Sequence, residues 1–319
     1  MRQRQLGRTG IAVSAIGLGC WQFSGGVGPA GLYWPALDQE RVNRIVAASL
    51  QGGVSWFDTA EFYGRGRSER ALAAALQAAG MAPGQVVVAT KWWPMFRGAG
   101  SIRATVGERV EALRPYAIDL HQVHSPLALA STAAQMQAMA DLVAAGIVRA
   151  VGVSNFSGAR MAAAQQALSR RGLGLATNQV RYSLLDRAIE KNGVLAQAKA
   201  QGTSIIAYSP LAQGVLTGRF HRDPQTIAVI SRTRRMKPAF RRLEAARPLV
   251  EALAEIGAAH GGSAAQVALA WLLQFHGDLV VAIPGASSVE QAASNAGAMQ
   301  LILTRAELDR IDQLSQPLN

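Results

Sequence analysis

Gly17-Leu18-Gly19-Cys20-Trp21-Gln22 decides the fold by what it lacks. It closes the first β-rich run, where an open, doubly wound sheet would carry its glycine-rich turn, and Gln22 stands where the third glycine of that turn belongs. Outward from it, short β-rich runs alternate with amphipathic helical patterns, with no composition break to mark a linker. The expected strands are residues 15–18, 55–58, 86–90, 118–123, 149–153, 176–179, 204–208 and 279–283. Helical periodicity covers 39–50, 68–78, 101–113, 130–144, 158–169, 188–200 and 263–274, and Gly52, Gly80, Gly146, Gly172 and Gly202 follow five of these as stops. Eight strand–helix units without that glycine pattern specify a closed α/β architecture, the (β/α)₈ TIM barrel, as one domain over residues 1–319. A β-hairpin, 4–6 with 11–13, precedes the first strand and is placed to plug the barrel floor. Segment 211–240 is longer than a connection without a function usually runs, and two extra helical patterns, 288–299 and 304–314, finish the chain.

Half of the 319 residues are hydrophobic and 16% are charged, enough to build a large core. No stretch has the apolar length of a membrane span and the start lacks a secretory h-region, so a cytoplasmic protein with no membrane partner is expected. One cysteine, Cys20, excludes an intramolecular disulfide and a cysteine-based zinc site; its ordinary reading is a small buried apolar residue. The net charge of +12 is spread over most helices, which argues against a nucleic-acid partner. Its one dense cluster, Arg232, Arg234, Arg235, Lys237, Arg241 and Arg242, suits a phosphate group. No pattern specifies an oligomeric state.

Barrels carry their reactive groups at the carboxyl ends of strands, here Asp58, Lys91, His124, Ser154, Asn155, Gln179 and Tyr208. Asp58 to Lys91 and Lys91 to His124 are each 33 residues, and His124 to Ser154 is 30, about one unit each time. Singly, each has a structural explanation: Asp58 a turn cap, Lys91 a solvated lysine, His124 a packed ring, Tyr63 an aromatic beside Gly64-Arg65-Gly66. Four chance residues, however, have no reason to recur around one mouth. Together they suit proton transfer by a phenol. A lysine ammonium about 4 Å from the Tyr63 oxygen would favour phenolate by roughly 4 kcal/mol, before burial is counted. Asp58 would keep Lys91 charged, and His124 would orient a carbonyl oxygen. No metal-ligand spacing is present, so the hydride donor is expected to be a nicotinamide. Ser154, Asn155 and Gln179 could hold its carboxamide and Tyr208 could stack on its ring. The turns Ser209-Pro210-Leu211-Ala212-Gln213-Gly214 and Ile283-Pro284-Gly285-Ala286-Ser287-Ser288 occupy the usual phosphate positions of a barrel, with Ser288 as a helix cap. Trp21, Trp34, Trp92, Trp93 and Phe96 are candidates for an aromatic substrate pocket.

The motifs Leu6-Gly7-Arg8-Thr9-Gly10, Phe57-Asp58-Thr59-Ala60-Glu61-Phe62-Tyr63-Gly64, Ala89-Thr90-Lys91, Gln122-Val123-His124-Ser125-Pro126, Val151-Gly152-Val153-Ser154-Asn155-Phe156, Ala207-Tyr208-Ser209-Pro210-Leu211 and Ile283-Pro284-Gly285 resemble those of the aldo-keto reductases over nearly the whole chain. The nearest likeness is to bacterial and plant members related to potassium-channel β subunits. The resemblance implies a catalytic tetrad of Asp58, Tyr63, Lys91 and His124, with Tyr63 the general acid when an aldehyde or ketone is reduced to an alcohol. It also implies an extended nicotinamide cofactor touching Cys20, Trp21, Asp58, Ser154, Asn155, Gln179, Tyr208, Ser209, Pro210, Leu211, Gln213, Gly214, Gly285, Ser287, Gln291 and Asn295. Arg219 is implied at the pyrophosphate, and Ser231 with Arg232 at the adenosine 2′-phosphate. Many NADP-using members carry a basic residue after the eighth strand, whereas Gly285 to Asn295 holds only the acid Glu290. The arginine cluster nevertheless favours NADP(H), with NAD(H) left open. Two other readings stand beside the reductase: a cofactor-sensing regulatory subunit with little turnover, and a Schiff-base enzyme using Lys91, which Asp58 would keep protonated and poorly nucleophilic.

Overall fold

The computed structural model describes residues 3–319. Two short strands, β1 (Gln3–Gln5) and β2 (Ala12–Ser14), pair antiparallel ahead of an eight-stranded parallel sheet. Its strands are β3 (Leu18–Gly19), β4 (Trp56–Asp58), β5 (Val87–Trp92), β6 (Ile118–Val123), β7 (Val148–Ser154), β8 (Thr177–Arg181), β9 (Ser204–Tyr208) and β10 (Val280–Ala282), each beside the next in chain order. Parallel bridges Ile16–Ala282 and Gly19–Gly285 join the first strand to the last and close the barrel. Close approach makes glycine necessary on this seam: a Cβ on Gly19 would lie 2.8 Å from the Ile283 carbonyl oxygen.

Alternation along the strands separates two cores. Inward, Trp56, Ala89, Leu120, Ala150, Ala176, Ile206 and Val281 fill the barrel together with Leu6, Ile11 and Val13 of the hairpin, which therefore plugs the floor as its position suggested. Trp56 fits because Gly17 has no side chain; a Cβ there would sit 2.3 Å from the indole, whose N–H donates to the Ser14 carbonyl at 2.9 Å. Outward, Val88, Val123, Val151 and Ile205 pack against Leu72, Met139, Met161 and Leu269 of the surrounding helices. Each such side chain, fully buried, contributes roughly 2 kcal/mol.

The helices differ from the periodicity in two places. Residues 188–200 form Ala188–Lys191 and Val194–Gln201 rather than one helix, because Gly193 takes a left-handed φ of 84° between them. Residues 211–240 are not an open loop but a chain of short helical turns, followed by Arg247–Ala259, which the sequence reading passed over. Its signal was present: Leu249, Val250, Leu253 and Ile256 recur at helical spacing and are buried. Among the described residues no helix is long and apolar enough to cross a membrane.

Candidate active site

At the carboxyl ends of the strands lies a cavity of about 1140 Å³. Asp58 ends β4, and Lys91 lies near the end of β5 in register with Gln122 of β6. Lys91 is fully buried and donates to Asp58 Oδ1 at 2.5 Å, to the Thr59 carbonyl at 2.8 Å and to the Tyr63 hydroxyl at 3.3 Å. The other Asp58 oxygen accepts from Gln122 Nε2 at 3.1 Å and Gln179 Nε2 at 2.9 Å. Burial disfavours the Lys91 ammonium, but the Asp58 carboxylate and the Tyr63 oxygen outweigh it, so the group is held above its ordinary pKa. A buried cation with this many acceptors is an organised feature, not a solvated loop lysine.

Tyr63 lies on the turn after β4, fixed by its backbone N–H to the Ala60 carbonyl. Tyr63 is not lowered in pKa as the lysine alone would imply. Burial pushes the phenol up, Lys91 pulls it down, and the negative Asp58 behind the lysine cancels part of that pull, leaving Tyr63 above its ordinary value. It rests as a phenol, the proton-carrying form. His124 follows β6, its ring edge-on to Tyr63 at 5.6 Å, to Trp93 at 5.1 Å and to Phe62 at 6.2 Å. Burial and the Lys91 charge hold it well below the ordinary histidine pKa, hence neutral. The four residues singled out by spacing and resemblance thus meet in one cluster.

The aromatic candidates divide. Trp21, Trp34 and Trp93 line the cavity, with Trp93 stacked on Phe62 at 3.9 Å and Trp21 at 6.3 Å from Tyr63. Trp92 does not: strand alternation turns it outward, where it is 1% exposed, donates to Ser101 Oγ at 3.1 Å and carries the Arg97 guanidinium on its face. Phe96 is 81% exposed and also outside the cavity lining.

Around the other half of the mouth the cavity is lined by Cys20, Ser154, Asn155, Gln179, Tyr208, Ser209, Pro210, Leu211, Gln213, Gly214, Arg219, Gly285, Ser287, Gln291 and Asn295. Their polar groups are ordered by one another: Ser154 Oγ donates to the Gln179 carbonyl at 2.8 Å, Asn155 Nδ2 to Ser154 Oγ at 3.0 Å, and the Tyr208 hydroxyl to Asn155 Oδ1 at 3.0 Å. The Gln179 amide, expected at a carboxamide, spends its N–H on Asp58. Cys20 is fully buried as the ordinary reading held, its thiol turned to the Leu18 carbonyl. Ser288 caps helix Val289–Gly297 by accepting from the Gln291 N–H.

Ser231 and Arg232, implied at the adenosine 2′-phosphate, lie outside the cavity lining. Ser231 caps the short helix Arg232–Arg235, which turns Arg232 outward to solvent and Arg234 inward to the cavity. Arg219 Nε and Arg234 Nε are both buried without a partner among the described residues. Burial and the Arg219 charge bring Arg234 down to about 10, so the two cations are near enough to repel one another. Guanidiniums so arranged, beside the left-handed turn Ala212-Gln213-Gly214, fit an oxyanion such as a dinucleotide's phosphates. Gln122 escaped the sequence pattern, since it has the Lys91 register but nothing local marks it, whereas Arg234 belongs to the basic cluster that suited a phosphate.

Comparison with known proteins accords with this geometry. The chain is 38% identical over 306 residues to an uncharacterized oxidoreductase of Mycobacterium tuberculosis, covering 94% of this chain and 88% of that protein. The glycerol dehydrogenase of Gluconobacter oxydans superposes with a TM-score of 0.80 at 27% identity over 98% of this chain and 94% of its own. An aldo-keto reductase of Klebsiella pneumoniae, solved in complex with NADPH, gives 0.74 at 26% identity, covering 98% and 95%. The Aldo/keto reductase family pattern matches residues 15–316, and the chain belongs to that family.

Proposed function

We propose that the protein is an NADP(H)-dependent enzyme that reversibly reduces an aldehyde or ketone to an alcohol, with Tyr63 as proton donor. The carrying observation is the unbroken line from Asp58 through buried Lys91 to the Tyr63 hydroxyl, which faces the cavity beside His124. NADP(H), when bound, supplies hydride from nicotinamide C4 to the carbonyl carbon. Tyr63 gives its proton to the carbonyl oxygen. The phenolate left behind is 3.3 Å from the Lys91 ammonium, an attraction of about 5 kcal/mol at an effective dielectric of roughly 20 that offsets the cost of burying the charge. Asp58 keeps that ammonium charged and fixed, and neutral His124 donates to the carbonyl oxygen, aligning it with Tyr63. Ser154, Asn155 and Gln179 would face the carboxamide and Tyr208 the nicotinamide ring. Arg219 and Arg234 would hold phosphates, and their unmatched charge, with the NADPH complex of the Klebsiella relative, supports NADP(H) over NAD(H).

The test is Tyr63→Phe assayed with NADPH and NADH over aldehydes, ketones and sugars. Turnover should fall by about three orders of magnitude or more while cofactor affinity, read by fluorescence titration, stays within about twofold. Unchanged turnover, or tighter binding of NADH than NADPH, would count against the corresponding half of the proposal.

A further inference from the structure

The segment after β3 is stapled across the mouth to the segment after β9. The Thr233 hydroxyl donates to the Leu32 carbonyl, the Lys237 ammonium lies 4.8 Å from the Tyr33 ring, and the Arg234 guanidinium lies 4.1 Å from the Trp34 ring. Arg234 is 9% exposed and tied to the Gln213 carbonyl at 2.9 Å. Along this seam Trp34 Nε1, Arg219 Nε, Arg234 Nε and Gln213 Oε1 are buried without a partner among the described residues. Three of these four atoms belong to donor groups, and Arg219 and Arg234 repel one another. On the far side, Trp34 packs edge-on against Trp21 at 6.4 Å, and Trp21 faces Tyr63. One residue, Arg234, therefore touches both the cation pair and the aromatic wall of the substrate side.

We propose that a phosphate-type oxyanion held between Arg219 and Arg234 locks Arg234 onto Trp34, so that filling the anion seat builds the Trp34–Trp21 wall of the substrate pocket. Arg234 and Trp34 are positioning residues; neither touches the reacting atoms. The anion neutralises the repulsion between Arg219 and Arg234, and a fixed guanidinium holds the indole face by cation–π attraction. The inference rests on reading the cavity as a joint cofactor and substrate site.

Its test uses inorganic pyrophosphate on the intact cofactor-free protein, so that no turnover is needed. Saturating pyrophosphate should slow backbone hydrogen exchange in residues 31–37 by about tenfold and alter the emission of Trp34, isolated as the difference between wild type and Trp34→Phe. Arg234→Met should still bind pyrophosphate calorimetrically through Arg219, more weakly, yet lose the protection of 31–37. It should also raise the carbonyl KM about tenfold with a smaller change in kcat, a split expected when a pocket wall loosens. Trp34→Phe, which keeps a ring for Arg234, should retain most of the protection, and Trp34→Ala should not. Pyrophosphate that fails to bind, that binds without protecting 31–37, or that protects Arg234→Met equally overturns the proposal, as does protection that only NADPH confers. Protection present with no reduction of any carbonyl counts against the enzymatic reading alone.

Discussion

Gln179 Nε2 donates to Asp58 Oδ2 across 2.9 Å, joining side chains 121 positions apart. With Gln122 it saturates the Asp58 oxygen turned away from Lys91, which leaves the carboxylate no freedom to rotate off the ammonium. Gln179→Met keeps the volume and removes the donor. Denaturant unfolding of the cofactor-free protein should show a loss of about 1–3 kcal/mol, the cost of a buried carboxylate short of one hydrogen bond. A change within experimental error would mean that Gln122 alone suffices.

Trp92 and Trp93 are neighbours with opposite tasks, and substitution separates them. Trp93→Ala removes the ring that packs on His124 and Phe62, so the carbonyl KM should rise about fivefold or more for roughly 1 kcal/mol of lost ring contact. Trp92→Phe empties part of a core site and should cost about 1–3 kcal/mol of stability with little effect on KM. Steady-state kinetics paired with thermal melts decides; the reverse pattern refutes the assignment of the two faces.

The pH dependence of stability contains opposing contributions behind the site. Burial raises Glu69 to about 7 despite its Arg109 partner, whereas burial and the Arg109 charge lower His121 to about 4. A carboxyl raised in the fold contributes stability below its unfolded value, which is lost as pH rises from about 4.5 through 7. A histidine lowered in the fold contributes above 6.5, and that stability is lost as pH falls to about 4. Each is worth about 3 kcal/mol, so they nearly cancel between them. His124, also lowered, adds to the acid side. Glu69→Gln should therefore steepen the fall in unfolding free energy from pH 6.5 to 4.5, measured by urea titration; a slope unchanged from wild type would show that Glu69 is ionised throughout.

Closure of the barrel at Gly19 leaves no space for a methyl group against the backbone of Ile283. Gly19→Ala should cost about 1–3 kcal/mol, and the first region to lose hydrogen-exchange protection should be the seam of β3 with β10. Wild-type stability would indicate that the seam yields without strain.

The barrel was legible because each unit repeats at nearly constant length, so Asp58, Lys91 and His124 fall in phase on adjacent strands. Tyr63 was not legible in that way. It lies five residues past the strand end on a turn, and only the family motif singled it out. Within the basic cluster, Ser231 caps a four-residue helix and thereby fixes that Arg234 points inward and Arg232 outward, a phase that no longer-range pattern reveals. Trp92 was misread because chemistry was weighed before alternation, although Lys91 pointing inward already turned Trp92 outward. The break at Gly193 followed from a glycine in plain view inside a helical pattern. Pairing of Gln122 and Gln179 through Asp58 depends on barrel curvature, which spacing alone does not encode.

The floor hairpin has a consequence for how the chain assembles. Arg4 donates to the carbonyls of Leu273 and Val280, and Leu6, Ile11 and Val13 lie against strands that reach as far as Val281. The hairpin therefore finds its full docking surface only after the strands as far as Val281 have been made. Until then an apolar plug waits without a vessel. Such pairing across the sequence slows folding and prolongs exposure of sticky intermediates, a burden that falls on the floor, far from any chemistry.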